Sequence, residues 1–326
     1  MTTITTPMSE PIRRDVEFKT LDGTTLRGWF YPAGENAPAV IISHGFACLK
    51  SWSLPALSTA LQSSGIASLL YDQRCFGTSS GTPRHDVDPD LQSSDVHDAI
   101  SHLLTLPGVN HDKIGIIGYS YSSAHAIKAA SLDRRIKTVI SLSSFLRGAW
   151  LLGLFVSDRP ATDALIWKDR ERQRIGDGEV GYFPVVPTAE APGNAFLPAD
   201  DAAEFYLRMQ KVETENGGEW ENRVTTRSLL KMRSYNVIED LKALAPTSLL
   251  MIVDEAVMGS GEYQKAFEAA GEGGEILKEF VTVPGAHFDV LAEGKGLEKV
   301  IDHSIRFLKK VFDGEEGGGE GCDTSV

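Results

Sequence analysis

The sequence predicts an α/β fold: a mostly parallel sheet flanked by helices, with a helical cap inserted above one edge. Three observations carry that prediction. Short apolar runs of strand length alternate with helix-like segments along most of the chain. One run leads straight into Gly118-Tyr119-Ser120-Tyr121-Ser122, a tight turn that opens a helix of small residues. The stretch 145–234 breaks the alternation and is rich in aromatic and apolar residues, Leu152, Phe155, Trp167, Tyr206 and Trp220 among them, which read as cap core.

Taken in order, residues 1–14 form a threonine-rich arm with no apolar core, so no secretory signal is read there. Val16-Glu17-Phe18-Lys19 and Leu26 to Tyr31, split by Asp22-Gly23, predict an antiparallel hairpin. The run Ala39-Val40-Ile41-Ile42 predicts a strand, followed by a helix over Ser53 to Ser64 and a strand over Ala67 to Tyr71. A helix over Pro89 to Leu106 precedes the strand Ile114 to Ile117, and a helix over Ser123 to Ala130 follows the Ser120 turn. Thr138 to Leu142 is the next strand. After the gap come a strand over Ser248 to Val253, a helix near Glu262 to Ala270, a strand over Phe280 to Val283 and a last helix over Leu297 to Phe312. The core is therefore 15–144 plus 235–312, and 145–234 is the cap. In a sheet of this kind ligands gather at the carboxyl ends of the strands.

At 326 residues and 42% hydrophobic content the chain buries a large core, and its length calls for one domain carrying an insertion. A net charge of −13 argues against nucleic acid and anionic membrane as partners, since both reward basic patches. Part of that charge lies in the acidic, glycine-rich tail 313–326, which has nothing to bury and reads as disordered. Cys48, Cys75 and Cys322 are odd in number and widely spaced, so they make neither a metal pattern nor a disulfide framework. A reducing, cytoplasmic setting is expected. No apolar run is long enough to span a membrane. Without a phosphate-cradling loop, dinucleotide fingerprint or zinc motif, no cofactor and no metal is expected.

A strand, a sharp turn and a helix with a serine at the apex push that serine's Oγ off the sheet edge, where a base reaches it. The residues two before and two after must be small, and Gly118 and Ser122 are. Ser120 is thus the expected nucleophile. His44-Gly45-Phe46 ends an earlier strand, so the backbone N–H groups of Phe46 and Tyr121 are expected to form an oxyanion hole. His287 follows the Phe280 strand in a loop at the same sheet edge and is the expected general base.

The acid is the open point. A carboxylate is expected about four residues past the last apolar residue of the Ser248 strand, but Val257 stands there. Asp254 ranks first as the acid, Glu255 is the substitute with a longer arm, and a dyad without an acid is the third reading.

Other residues take structural readings. Asp72 and Arg74 are expected to brace neighbouring loops, Cys48 to be a packed thiol, His125 to pack behind the nucleophile, and the helix bearing Asp95, His97 and Asp98 to be a solvated surface rather than a metal site.

The elbow residues 118–122, Ser131 to Lys137, Asn222 to Ser228, Ala245 to Met251 and Gly285-Ala286-His287-Phe288-Asp289 together resemble the α/β-hydrolases. More narrowly they are similar to the dienelactone-hydrolase-like and peptidase-S15-like branch, which includes a fungal polyketide transferase of the fumagillin pathway. The chain departs from that pattern at Val257 and at Ser122, where the family carries its acid and its last glycine. The resemblance implies Ser120 and His287 as nucleophile and base, with ester, thioester or polyketide acyl groups as substrates.

The expected function is therefore serine-dependent acyl transfer, first of all hydrolysis of an ester or thioester of a bulky apolar acyl group in secondary metabolism. The substrate is a small molecule, taken free or as a carrier-protein-bound acyl thioester. Two alternatives stay open: transfer of the acyl group to an alcohol, and a cyclase or lyase that uses the same capped pocket without a covalent intermediate.

Overall fold

Each apolar run expected as a strand forms one, and together they build a single sheet. The computed structural model describes residues 12–155, 159–176, 178–189, 195–292, 294 and 296–314. The expectations for the arm up to residue 11, for the tail from 315 and for Cys322 lie outside the described residues, as do the side chains of Leu152, Phe155 and Val257.

The opening hairpin is β1 (Arg14–Lys19) and β2 (Thr25–Tyr31). Then follow β3 (Ala37–Ser43), α1 (Leu54–Ser63), β4 (Ala67–Tyr71), α2 (Pro89–Leu103), β5 (Val109–Tyr119), α3 (Tyr121–Leu132) and β6 (Ile136–Leu142). The inserted stretch holds α4 (Gly148–Phe155), α5 (Arg159–Arg174), β7 (Tyr182–Phe183), α6 (Asp200–Glu215), β8 (Val224–Thr225) and α7 (Thr226–Ser234). The chain then returns through α8 (Ile238–Lys242), β9 (Ser248–Asp254), α9 (Glu262–Ala269), β10 (Lys278–Val283) and α10 (Leu297–Asp313).

The eight-stranded sheet runs β1-β2-β4-β3-β5-β6-β9-β10, parallel from β4 onward. Its central strands are apolar without alternation because helices cover both faces. Val40, Ile42, Ile117 and Ile252 pack beneath α1 and α10, while Ile41, Ile116, Val139 and Met251 pack beneath α2 and α3. Period-2 geometry sorts successive residues of one strand to opposite cores.

Local chemistry sets the boundaries. Helix α2 starts where Asp88 accepts a hydrogen bond from the Leu91 N–H at 3.1 Å and Pro89 occupies the first turn. It ends at Leu103, three residues short of the expected Leu106, because Thr105 and Leu106 turn tightly ahead of Pro107. Helix α3 starts at Tyr121 rather than Ser123, directly on the serine turn.

The inserted stretch is tied to the core by a buried carboxylate. Asp86 accepts from Thr225 Oγ1 at 2.5 Å and from both the Nε and a terminal nitrogen of Arg227 at 2.8 Å, and Lys231 Nζ lies 3.0 Å away. Ser228 Oγ accepts from the Val87 N–H at 2.9 Å. The Asn222 to Ser228 segment thus serves as an anchor.

Two expectations are corrected. Asp95 is not on a solvated face: it is buried and grips Arg74 through Nε at 2.7 Å and a terminal nitrogen at 2.5 Å, because the strand-exit loop folds back over α2. Trp167, counted among the aromatics the cap would bury, is 54% exposed on α5. Among the described residues no helix is long and apolar enough to cross a membrane, and no cluster of His, Cys, Asp and Glu forms a metal site.

Candidate active site

Strand β5 meets helix α3 at a residue whose backbone is left-handed. Ser120 has φ 53° and ψ −116°, a conformation that L-residues adopt at a cost. The turn is so tight that a Cβ on Gly118 would lie 2.3 Å from the Ser122 carbonyl oxygen and 2.6 Å from the Ser123 Cα. Position 122 tolerates serine because its hydroxyl has a use. It donates to the His44 carbonyl oxygen and accepts from Gln73 Nε2 at 2.8 Å, tying α3 to the end of β3.

His44 holds the neighbouring turn with its ring. Nδ1–H donates to the Gly45 carbonyl at 3.0 Å and Nε2 accepts from the Gln73 N–H at 3.0 Å. Burial keeps the imidazole below its ordinary pKa of 6.5, and therefore neutral. Gln73, absent from the sequence reading, joins three parts of the site; nothing in its sequence context marks it.

His287 stands in the turn after β10. Gly285 has φ 103°, and the Ala286 N–H donates to Asp289 Oδ2 at 3.0 Å, which fixes the turn. The imidazole Nε2 lies 2.8 Å from Ser120 Oγ. Tyr119, the residue before the serine, stacks on the ring at 5.8 Å and donates its hydroxyl to the His287 carbonyl at 3.2 Å.

Asp254 is the last residue of β9, not a loop residue, so it reaches the sheet edge without the expected loop. Residues 255–260, including Val257, coil into a short 3₁₀ turn, and Glu255 is exposed. Asp254 is fully buried, and Oδ2 lies 3.8 Å from His287 Nδ1. That is longer than a direct hydrogen bond, and neither carboxylate oxygen makes one among the described residues. Burial of the imidazole outweighs the attraction of Asp254 and Asp201 and holds the His287 pKa below 6.5.

Phe46 and Tyr121 both line the cavity at Ser120. Their backbone N–H groups make no hydrogen bond among the described residues. Tyr121 is the first residue of α3, where free N–H groups and the helix dipole both favour negative charge.

The cavity measures about 260 Å³. Phe145, Leu151, Phe196, Leu197 and Met232 from the inserted stretch make its apolar wall. Ser143, which the sequence did not suggest, lines it as well. This residue is 3% exposed with φ 46°, and its hydroxyl has no partner among the described residues. A wider depression of about 540 Å³ abuts the cavity, with Asp201, Ala286 and Phe288 common to both.

Among the residues given structural readings, His125, Asp72 and Cys48 sit as expected. His125 is buried, with Nδ1 2.9 Å from both Ser93 Oγ and the Tyr235 hydroxyl, and burial pushes its pKa down to about 3. Asp72 grips Lys50 Nζ at 2.5 Å and the Thr78 N–H at 2.9 Å. The Cys48 thiol is packed against Tyr206, and burial pushes it up to about 12.

A parallel sheet with a strained serine elbow and an imidazole in reach of that serine is the architecture of an α/β-hydrolase. The alpha/beta hydrolase family model matches residues 40–296, and the chain is an enzyme of that family. It is 34% identical to a thiohydrolase of Eupenicillium brefeldianum over 86% of this chain and 92% of that one. It is 31% identical to the polyketide transferase af380 of Aspergillus fumigatus over 92% and 99%. The crystal structure of the alpha/beta hydrolase GrgF from Penicillium sp. sh18 superposes with a TM-score of 0.76 at 30% identity, covering 93% of this chain and 99% of that one.

Proposed function

We propose that the protein is a serine acyl-transfer enzyme that hydrolyses a thioester or ester of an apolar, polyketide-type acyl group in secondary metabolism. The acyl group arrives on a small thiol or on a carrier protein. One observation carries this reading: Ser120 Oγ and His287 Nε2 stand 2.8 Å apart at the floor of an apolar cavity. The names of the relatives, thiohydrolase and polyketide transferase, support the same acyl class.

In the proposed mechanism Ser120 Oγ attacks the acyl carbonyl while His287 Nε2 takes its proton. The Phe46 and Tyr121 N–H groups hold the oxyanion. Asp254 keeps the other imidazole proton on Nδ1 and stabilises the imidazolium. Collapse expels the thiolate or alkoxide, which leaves with the proton from His287. Water, deprotonated by His287, then attacks the acyl-Ser120 ester and releases the free acid. An alcohol in place of water gives the transferase variant of the same chemistry. A cyclase or lyase in the same pocket would draw support from an imidazole without an acid, and Asp254 Oδ2 lies 3.8 Å from His287 Nδ1.

The stretch 145–234 is proposed to act as a cap that chooses the acyl group. At about 260 Å³ the cavity lies near the lower bound of small-molecule sites, so it accommodates an apolar chain and excludes most water. With N-acetylcysteamine thioesters, kcat/KM is expected to rise from acetyl through medium apolar acyl groups and level off once the cavity is full. Liquid chromatography should find the free acid as product. Equal kcat/KM for acetyl and longer acyl groups would contradict this view of the cap.

The pH profile tests the base. A base must be neutral to act, so the acid limb of kcat/KM reports the His287 pKa. Its midpoint is expected below pH 6.5, because burial disfavours the imidazolium. A kcat/KM that does not fall at low pH speaks against a neutral imidazole as the base, whereas a midpoint above 6.5 would show the attraction of Asp254 outweighing desolvation.

A further inference from the structure

The turn that carries the Phe46 N–H is held by two aromatic residues of the inserted stretch, of which Tyr206 also lines the cavity. Tyr206, on α6, donates its hydroxyl to the Phe46 carbonyl at 2.5 Å. Trp220, in the segment between α6 and β8, donates its indole N–H to the Ala47 carbonyl at 2.7 Å. Both side chains are buried, Tyr206 at 1% and Trp220 at 5% exposure, and their rings pack 5.7 Å apart against Trp52.

That turn is not self-sufficient. Ala47 has φ 50°, in the left-handed region that favours glycine. Among the described residues, the backbone-to-backbone closure within the turn is the Cys48 N–H to the Gly45 carbonyl at 3.2 Å, and the His44 ring donates to the same carbonyl. The two carbonyls that follow the Phe46 N–H are instead satisfied by the inserted stretch. The Cys48 thiol, kept protonated by burial, donates to the Tyr206 oxygen at 3.5 Å, so thiol, phenol and carbonyl form a chain in which each bond polarises the next.

We propose that Tyr206 and Trp220 are positioning residues for the oxyanion hole. Seating the inserted stretch over the cavity and aiming the Phe46 N–H are then a single event. This rests on the acyl-transfer reading above and adds a specific consequence: residues whose polar atoms are bonded to the turn control the stabilisation of the negative charge on the reacting carbonyl. Losing an oxyanion donor costs about 10² to 10³ in kcat, and misaiming one costs less.

Tyr206→Phe keeps the ring and removes only the hydroxyl, whereas Trp220→Phe removes the indole N–H together with the five-membered ring that carries it. The full chain would be assayed with a hexanoyl N-acetylcysteamine thioester and with a hexyl trifluoromethyl ketone. The ketone adds Ser120 Oγ to its carbonyl, passes the serine proton to His287 and leaves an oxyanion where the tetrahedral intermediate has one. Each variant is expected to lower kcat about tenfold to a hundredfold with KM within about twofold. The inhibition constant of the ketone should rise by the same factor as kcat falls. A kcat that stays at the parental value, or a kcat that falls while ketone affinity is unchanged, overturns the proposal. If Tyr206→Phe does not fold, Trp220→Phe alone decides it by the same two numbers. Ser120→Ala, assayed in parallel, separates the two levels: full activity there defeats the acyl-transfer reading, whereas loss there with intact Tyr206→Phe and Trp220→Phe defeats only this inference.

Discussion

Ser120→Ala is expected to lower kcat on a thioester by about four to six orders of magnitude, as deletion of an activated nucleophile does. The change removes one oxygen, which makes the 2.8 Å contact with His287 Nε2. The fold should survive it. Alanine meets the same left-handed strain at φ 53° that serine does, and the elbow's other bonds run through backbone: the Ser120 N–H to the Leu142 carbonyl at 2.8 Å and the Ser123 N–H to the Ser120 carbonyl at 3.0 Å. A steady-state assay beside a thermal melt checks both halves. Near-parental activity in a folded Ser120→Ala would favour the cyclase or lyase chemistry in which no acyl-enzyme forms.

The second large effect is expected at Asp254. Asp254→Asn keeps shape and removes charge, and kcat/KM is expected to fall by up to about 10⁴-fold, because the imidazole loses the group that sets its tautomer and supports its cation. The same substitution carries a sign in pH. Asp254 raises the His287 pKa against the stronger lowering by burial, so its loss moves the acid limb to lower pH while the plateau drops. Glu255→Gln should be nearly silent, since Glu255 is exposed on the 3₁₀ turn. A crippled Glu255→Gln with an unaffected Asp254→Asn would reverse the assignment, and silence in both would leave a dyad.

Much of this was legible because sheet and elbow are written locally. Continuous apolar runs such as Ala39 to Ile42 mark strands covered on both faces, and Gly118 is dictated by atoms only four and five residues away. The place of Asp254 was harder to read. Counting residues past β9 presumes a loop, whereas here the strand itself extends to Asp254, a boundary that the apolar pattern cannot give because the last residue is polar. Asp95 was misread for a related reason. Its spacing on α2 describes the helix alone, and what buries it is Arg74 arriving from a distant loop.

The least legible residues are those whose roles exist only between elements. Ser122 reads as a departure from glycine until Gln73 and the His44 carbonyl are seen around its hydroxyl. Tyr206 and Trp220 read as cap core, and they do pack as core, yet their polar atoms end on the turn beside Ser120. Separations of 160 and 173 residues leave no local pattern by which the sequence could announce those bonds.

The most direct measurement of the central claim is capture of the covalent intermediate. The protein would be mixed with a hexanoyl thioester, quenched in acid within the first turnovers, digested and read by mass spectrometry. The account predicts a hexanoyl adduct on Ser120 that appears before free acid, decays as the substrate is consumed, and is absent from Ser120→Ala. Steady turnover with no adduct on Ser120 at any quench time, together with an active Ser120→Ala variant, would contradict it.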